Sequence, residues 1–183
     1  MTERELVLRA KKDISAFDQI YEMNFQKIFR FVMTRVNNRD IAEEIVSNVF
    51  YKAMSKLHMF RWKSIPFSAW LYRIAANEIS NYFRRQKRGG KIADRVMVEM
   101  EVEAPPEEEP ISYEFIHAYI KQLPEKDQDI VVLRYFEKLS FAEIAEITGK
   151  KENTLRVNLH RALKKLESLI PEEVLEDVYE KVS

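Results

Sequence analysis

SFAEIAEITGKKENTLRVNLHRALKKL, residues 140–166, reads as two short helices joined by a tight turn. Ser140 and Glu143 have the spacing of a capping box, in which the hydroxyl and the carboxylate each satisfy an unpaired N–H at a helix start. Phe141, Ile144, Ala145 and Thr148 then share one face, and Gly149 supplies the left-handed residue that stops the helix. After the turn, Leu155, Leu159, Ala162, Leu163 and Leu166 recur at three- and four-residue intervals and form a second apolar face. Small residues at Ala145 and Gly149 let the two helices cross closely, as a helix-turn-helix requires. That spacing fits an ordinary helical hairpin with a solvated surface equally well. The charge is more telling: residues 150–165 hold six Lys/Arg (150, 151, 156, 161, 164, 165) against one acid, Glu152. Such a density on one short helix makes a phosphate-binding stripe.

Upstream of this unit, Leu123-Pro124 marks a helix start, with Glu125 and Asp127 suited to its positive end. Tyr113, Phe115, Ile116, Tyr119 and Ile120 form the apolar side of one more helix. The acidic segment from Pro171 to Ser183 reads as a final one. Residues 91–112 differ in kind. They carry three prolines, an acidic run (EAPPEEEP) and weak periodicity, which predict a flexible linker. The chain thus divides into a domain at 1–90, a linker at 91–112 and a helix-turn-helix domain at 113–183. The expected fold class is all-α.

A formal net charge of zero hides a segregation along the chain. Residues 1–90 hold seventeen Lys/Arg against nine Asp/Glu, a balance of +8. Residues 91–112 hold two against seven (−5), and residues 113–183 eleven against fourteen (−3). A basic front half and a local basic helix near the end suggest two nucleic-acid-facing surfaces.

Other classes of function find no support. The chain has no cysteine and only three glycines, so it lacks thiolate metal sites and most phosphate-loop chemistry. His58, His117 and His160 have no metal-ligand spacing. No apolar run reaches the length of a membrane span, and no signal-peptide core follows Met1. Neither a cofactor nor intrinsic catalysis is expected, and the missing cysteines fit a reducing cytoplasm.

In the front half, the periodicity from Arg4 to about Val36 is helical, with Asp13 or Ser15 as a cap between two helices. Leu6, Leu8, Phe17, Ile20, Tyr21, Phe25, Ile28, Phe29 and Val32 supply its apolar stripe. Asn37-Asn38 breaks the pattern. Asp40 and Glu43 suggest a capping start for the next helix, which buries Ile41, Ile45, Val49, Ala53 and Leu57 and turns Asp40, Glu43, Glu44 and Asn48 outward. That acidic face is either simply solvated or a docking surface for a basic or helical partner. A loop at 58–66 carries Phe60, Arg61, Trp62 and Lys63. Residues 66–88, PFSAWLYRIAANEISNYFRRQKR, form a long amphipathic helix ending in a basic cluster. Trp70 suits the core better than the surface. Arg73, Asn77, Asn81, Arg84, Arg85, Lys87 and Arg88 interleave with the rings as a single-strand binder needs, cations tracking the backbone while rings and amides meet the bases, and Tyr82, Arg84, Arg85 and Arg88 suit the surface.

Three stretches together resemble a known family: AEEIVSNVF (42–50), residues 66–88 with their WLYRIA core, and LPEKDQDIVVLRYFEKLSFAEIAEITG with NTLRVNLHRALKKL (123–149 and 153–166). They are similar to the sigma-70 class of RNA polymerase sigma factors, in the compact extracytoplasmic-function (ECF) type, over nearly the whole chain. The resemblance implies a transcription initiation factor with core RNA polymerase as partner, through its β′ clamp helices and β flap. Promoter DNA would be the second partner, and an anti-sigma factor a further one. Asp40, Glu43, Glu44 and Asn48 would meet the clamp helices, although Ser47-Asn48 stands where the family commonly has Gln-Glu. Phe60, Arg61, Trp62 and Lys63 would hold a flipped −10 base, with Asn77, Asn81, Tyr82, Arg84, Arg85 and Arg88 on the adjoining DNA. Lys150, Lys151, Thr154, Arg156, Asn158, Arg161, Lys164 and Lys165 would bind the −35 element. Here Lys151 replaces a usual capping Ser, and Asn153 a usual Gly. A free-standing helix-turn-helix regulator would explain residues 123–166 but not the 66–88 helix. An adaptor protein would explain the acidic 40–48 face but neither basic surface.

Overall fold

A computed structural model of the chain describes residues 2–62, 66–88 and 118–171. Lys63, the 91–112 stretch, most of the helix expected near 113–120 and the segment expected after Pro171 lie outside the described residues. Every regular element among those described is helical.

The front half starts with α1 (Glu3–Ala10), whose Thr2 and Glu5 form a capping box. A 3₁₀ turn at Ile14–Ala16, capped by Asp13, leads into α2 (Phe17–Val36). Leu6 faces the core as expected, but Leu8 and Tyr21 are exposed, because each lies off the stripe that α1 and α2 turn inward. Asn37 adopts a left-handed backbone (φ 49°) and ends α2. Asn38 is extended and its side chain accepts the N–H of Ile41, so it caps α3 (Arg39–Ser55). The capping start read at Asp40 and Glu43 is therefore corrected. The extended residue right after the left-handed stop takes the cap, Asp40 falls in the first turn, and Glu43 pairs with Arg39 at 2.9 Å. A short turn (Leu57–Met59) precedes α4 (Phe67–Arg88).

Helices α2, α3 and α4 pack on one another around Ile28, Phe31, Val46, Val49, Leu71, Ala75 and Ile79, all buried. Tyr72 meets Phe31 edge-on at 5.4 Å.

The second half holds α5 (Glu125–Val131), α6 (Phe141–Thr148) and α7 (Glu152–Leu169). Pro124 precedes α5, and its carbonyl accepts the N–H groups of Asp127 and Gln128. The capping box at Ser140/Glu143 and the left-handed Gly149 (φ 71°) stand where the sequence placed them. Ile130, Leu133, Ile144, Leu155, Leu159, Ala162 and Leu166 form the core of this half. One feature had no sequence signal. The backbone widens to a π-turn over Val132–Phe136, where Glu137 N–H reaches the Val132 carbonyl at 3.1 Å, and Lys138 then takes a left-handed conformation (φ 55°).

That turn carries Glu137 into the seam between the halves. Its carboxylate accepts from Arg30 on α2 (3.0 and 3.3 Å) and from the Tyr72 hydroxyl on α4 at 2.5 Å. The Glu137 side chain is only 2% exposed, against 50% for Arg30. Burial, and then the Glu137 carboxylate, push the Tyr72 hydroxyl well above its ordinary range, so it stays protonated and donates. Deeper in, Arg35 on α2 bonds Asp129 at 2.7 Å and also Gln128, both on α5. Lys87 at the end of α4 pairs with Glu125 at 3.0 Å. Between these polar ties α4 packs on α6. The described parts of the two halves thus share one continuous core.

Two outcomes test this packing. Gly149→Ala meets no atom within 4 Å of the new methyl, so its effect is backbone strain alone, about 1 kcal/mol. Urea unfolding should show that loss, and an unchanged midpoint would contradict the left-handed turn. Glu137→Ala removes the acceptor of a buried hydroxyl and should loosen the seam by about 2 kcal/mol. Hydrogen exchange should then quicken in α6 while the α2–α3 contact keeps its protection.

Candidate nucleic-acid interface

The aromatic loop before α4 forms a cluster rather than a row of free contacts. Phe60 is buried, with its ring 4.9 Å from Phe67, 5.1 Å from Trp70 and 5.9 Å from Trp62. It forms the floor of the cluster, while Arg61 and Trp62 reach solvent. Trp70 is half-buried, packed against the core yet lining a cavity of about 280 Å³. Met59, Phe60, Arg61, Ala69, Arg73 and Glu146 complete the lining. Arg73, one helical turn after Trp70, is one of the cations read in the sequence among the rings of this helix, whereas Glu146 was missed. Glu146 comes from α6, far along the chain, and no local signal points to it.

The other −10 candidates lie along α4. Asn77, Arg84, Arg85 and Arg88 are exposed, and Asn81 and Tyr82 are half-buried. Arg84 donates to the Asn81 side chain at 2.6 Å, and Asn81 in turn lies 3.5 Å from Glu78. A 22-residue helix spans about 33 Å, so the Arg61–Trp62 cluster and the Arg84–Arg88 cluster are separate patches at opposite ends. Together they fit an extended strand or duplex better than a single pocket.

Helix α7 carries the −35 candidates. Lys151 caps it without a side-chain hydrogen bond, so its first N–H groups have no side-chain cap. At about 100° per residue, Thr154, Asn158, Arg161 and Lys165 fall on one stripe. Arg156 lies on the other flank, since residues two apart do not share a face, and Lys164 falls between the two. The structure therefore does not bring Arg156 and Asn158 together. Arg156 packs 4.3 Å from the centre of the Phe141 ring and 3.5 Å from Glu152, and Arg134 lies 5.0 Å from the same ring. Between the two flanks, His160 and Val157 face outward, and Val157 was missed. Val157 is half exposed, an unusual place for an aliphatic side chain on a cationic helix.

A third surface is acidic. Asp40, Glu43, Glu44 and Asn48 are all exposed on α3, and Glu43 is held by Arg39. Tyr51, at 65% exposure, continues the stripe of Asp40, Glu44 and Ser47, and the sequence reading overlooked it. Among the described residues no group of His, Cys, Asp and Glu is placed to hold a metal ion, and no helix is long and apolar enough to cross a membrane.

Comparison with known proteins fits this layout. Residues 20–89 match the sequence model of sigma-70 region 2, and residues 115–166 that of sigma-70 region 4. The ECF RNA polymerase sigma factor BldN of Streptomyces coelicolor is 29% identical over 174 residues, covering 92% of this chain and 66% of that relative. The RNA polymerase sigma factor SigV of Bacillus subtilis is 33% identical over 141 residues, covering 76% of this chain and 81% of SigV. The ECF RNA polymerase sigma-E factor of Escherichia coli is 30% identical over 183 residues, covering 93% and 95%. Two solved structures share the fold. Sigma factor RpoE with the anti-sigma factor NepR from Bartonella quintana has a TM-score of 0.70, at 22% identity over 84% of this chain and 95% of that one. CnrH with the cytosolic domain of CnrY has a TM-score of 0.69, at 21% identity over 91% and 96%. With both regions matched and relatives of 30–33% identity aligned along most of their length, this chain belongs to the sigma-70 family, in its ECF type, and is a promoter-specific transcription initiation factor.

Proposed function

We propose that the chain binds core RNA polymerase through α3, engages the −10 element through the 60–62 cluster and α4, and reads the −35 element through α7. The observation that carries this reading is the separation of two cationic surfaces, one on each matched region, from an acidic third. In this division, residues 1–90 serve core binding and the −10 element, 91–112 link, and 113–183 serve the −35 element. The factor has no catalysis of its own; the polymerase supplies the chemistry, in the cytoplasm.

Each surface suits its task. Asp40, Glu44 and Tyr51 offer charge and a large ring to the β′ clamp helices, with Glu43 and Asn48 beside them. Trp62, Trp70 and Arg61 offer rings and N–H donors to an unstacked base, which offsets the few kcal/mol lost on extruding it. Lys63, the next residue in the sequence, is assigned to the same role. Asn77, Asn81, Tyr82, Arg84, Arg85 and Arg88 follow the adjoining strand. Thr154, Asn158, Arg161 and Lys165 form the base-reading stripe, while Lys150, Lys151, Lys164 and Arg156 meet phosphates or the groove edge. The second half also docks on the β flap. The two structural neighbours were solved with anti-sigma partners, and an anti-sigma factor is proposed for this chain too.

The seam adds a condition. Elements named −10 and −35 lie about 25 base pairs apart, about 85 Å along B-DNA. The halves are held at hydrogen-bond distance through Glu137. They must part for both elements to be bound at once, and 29 residues between 88 and 118 can reach about 100 Å when extended.

Run-off transcription with purified core polymerase on genomic promoter fragments tests the reading. Specific start sites that depend on this protein are expected; tight duplex binding without polymerase, and no transcript with it, would favour a free-standing regulator. Within that assay Arg161→Ala should lower −35-dependent transcription about tenfold or more and leave core binding intact. Reversing charge with Asp40→Lys and Glu44→Lys should weaken core binding and spare the −35 preference. Equal losses in both properties would sink the division of labour.

A further inference from the structure

Helix α1 lies ahead of the 20–89 stretch shared with sigma-70 region 2, yet it touches both sides of the 60–62 cluster. At its start, the Glu3 carboxylate accepts the backbone N–H groups of Phe67 and Ser68, each at 3.2 Å. These belong to the first turn of α4, where N–H groups have no partner within the helix. Glu3 thus caps α4 from 64 residues away, and its charge also suits the positive helix end. Just past the other end of α1, the Lys11 ammonium donates to the carbonyl of Phe60 and lies 5.9 Å from the centre of its ring. Buried Leu6, Val7 and Ala10 fix the helix between these two ties. An eight-residue element therefore holds the residue before Arg61 and the helix start that carries Trp70.

We propose that α1 is a brace for the −10 pocket, with Glu3 and Lys11 as positioning residues. Neither needs to touch DNA. By fixing the Phe60 backbone against the first turn of α4, they hold Arg61 and Trp62 in register with Trp70 before a base arrives. A preformed pocket loses less conformational freedom on binding, so more of the contact energy appears as base capture and base discrimination. The inference rests on the reading of the 60–62 cluster as the −10 site and extends it to a helix outside the matched region.

The test uses holoenzyme assembled from core polymerase and the full chain, on a promoter mapped by run-off transcription. Open-complex formation is followed on the native promoter and on templates with single −10 or single −35 substitutions. Lys11→Met and Glu3→Gln should each slow opening on the native promoter about tenfold. Each should also narrow the difference between native and substituted −10 templates and leave −35 discrimination and core affinity as in the wild type. Lys11→Arg, which keeps a donor, should restore −10 discrimination. Undiminished −10 discrimination in both variants would overturn the brace. So would parallel loss at −10 and −35, which marks a general weakening of the fold. Failure of the wild type to start transcripts at any promoter would overturn the −10 reading itself, and the brace with it.

Discussion

A carboxylate taken out of water must be neutralised and hydrogen-bonded, and the seam of this protein is built around one. Glu137 has almost no exposed side-chain surface, and its partners, Arg30 and Tyr72, come from two helices of the other half. Neither half satisfies that group alone. The requirement fixes where the π-turn sits, the π-turn fixes α6, and α6 then lies on α4. Arg35 with Asp129 repeats the arrangement deeper in the seam. Burial pushes the Asp129 carboxyl above its ordinary value, and Arg35 draws it back toward the charged form.

This arrangement has unequal effects on the proposed DNA surfaces. Arg161, Lys164 and Lys165 on α7 remain open to solvent. Glu146 is among the residues that line the cavity beside Trp70, and Lys87 at the end of α4 is paired with Glu125. Acids of the second half thus sit beside cations of the first, where the proposed mechanism would bring phosphates. Polymerase and promoter would have to bind the parted form more tightly than the closed one. A ratio of about 10⁴ would take the population from almost wholly closed to almost wholly open.

The local signals in the sequence were informative and the distant ones were silent. Ser140, Glu143 and Gly149 could be read because a cap and a left-handed stop depend on residues within one turn. The apolar stripe of α7 followed from its period for the same reason. The cap at Asn38 was missed because Asp40 and Glu43 carry the same spacing, and only the left-handed Asn37 decides between them. Phe60 entered the candidate pocket through the family resemblance, and its burial under three neighbouring rings had no local signal. Glu137, Glu146, Glu3 and Lys11 each act across a long stretch of chain, so nothing near them in sequence shows what they touch. The π-turn that aims Glu137 had no compositional mark either.

The most direct measurement is the distance between the halves in the free and the working protein. The chain has no cysteine, so Ser55→Cys and Ser168→Cys, on exposed positions of α3 and α7, allow a donor and acceptor dye to be attached cleanly. Energy transfer should be high in the free protein, and it should fall when core polymerase and a promoter carrying both elements are added together. Transfer that stays high in complexes that go on to make transcripts would contradict the account, because a closed factor cannot span the two elements.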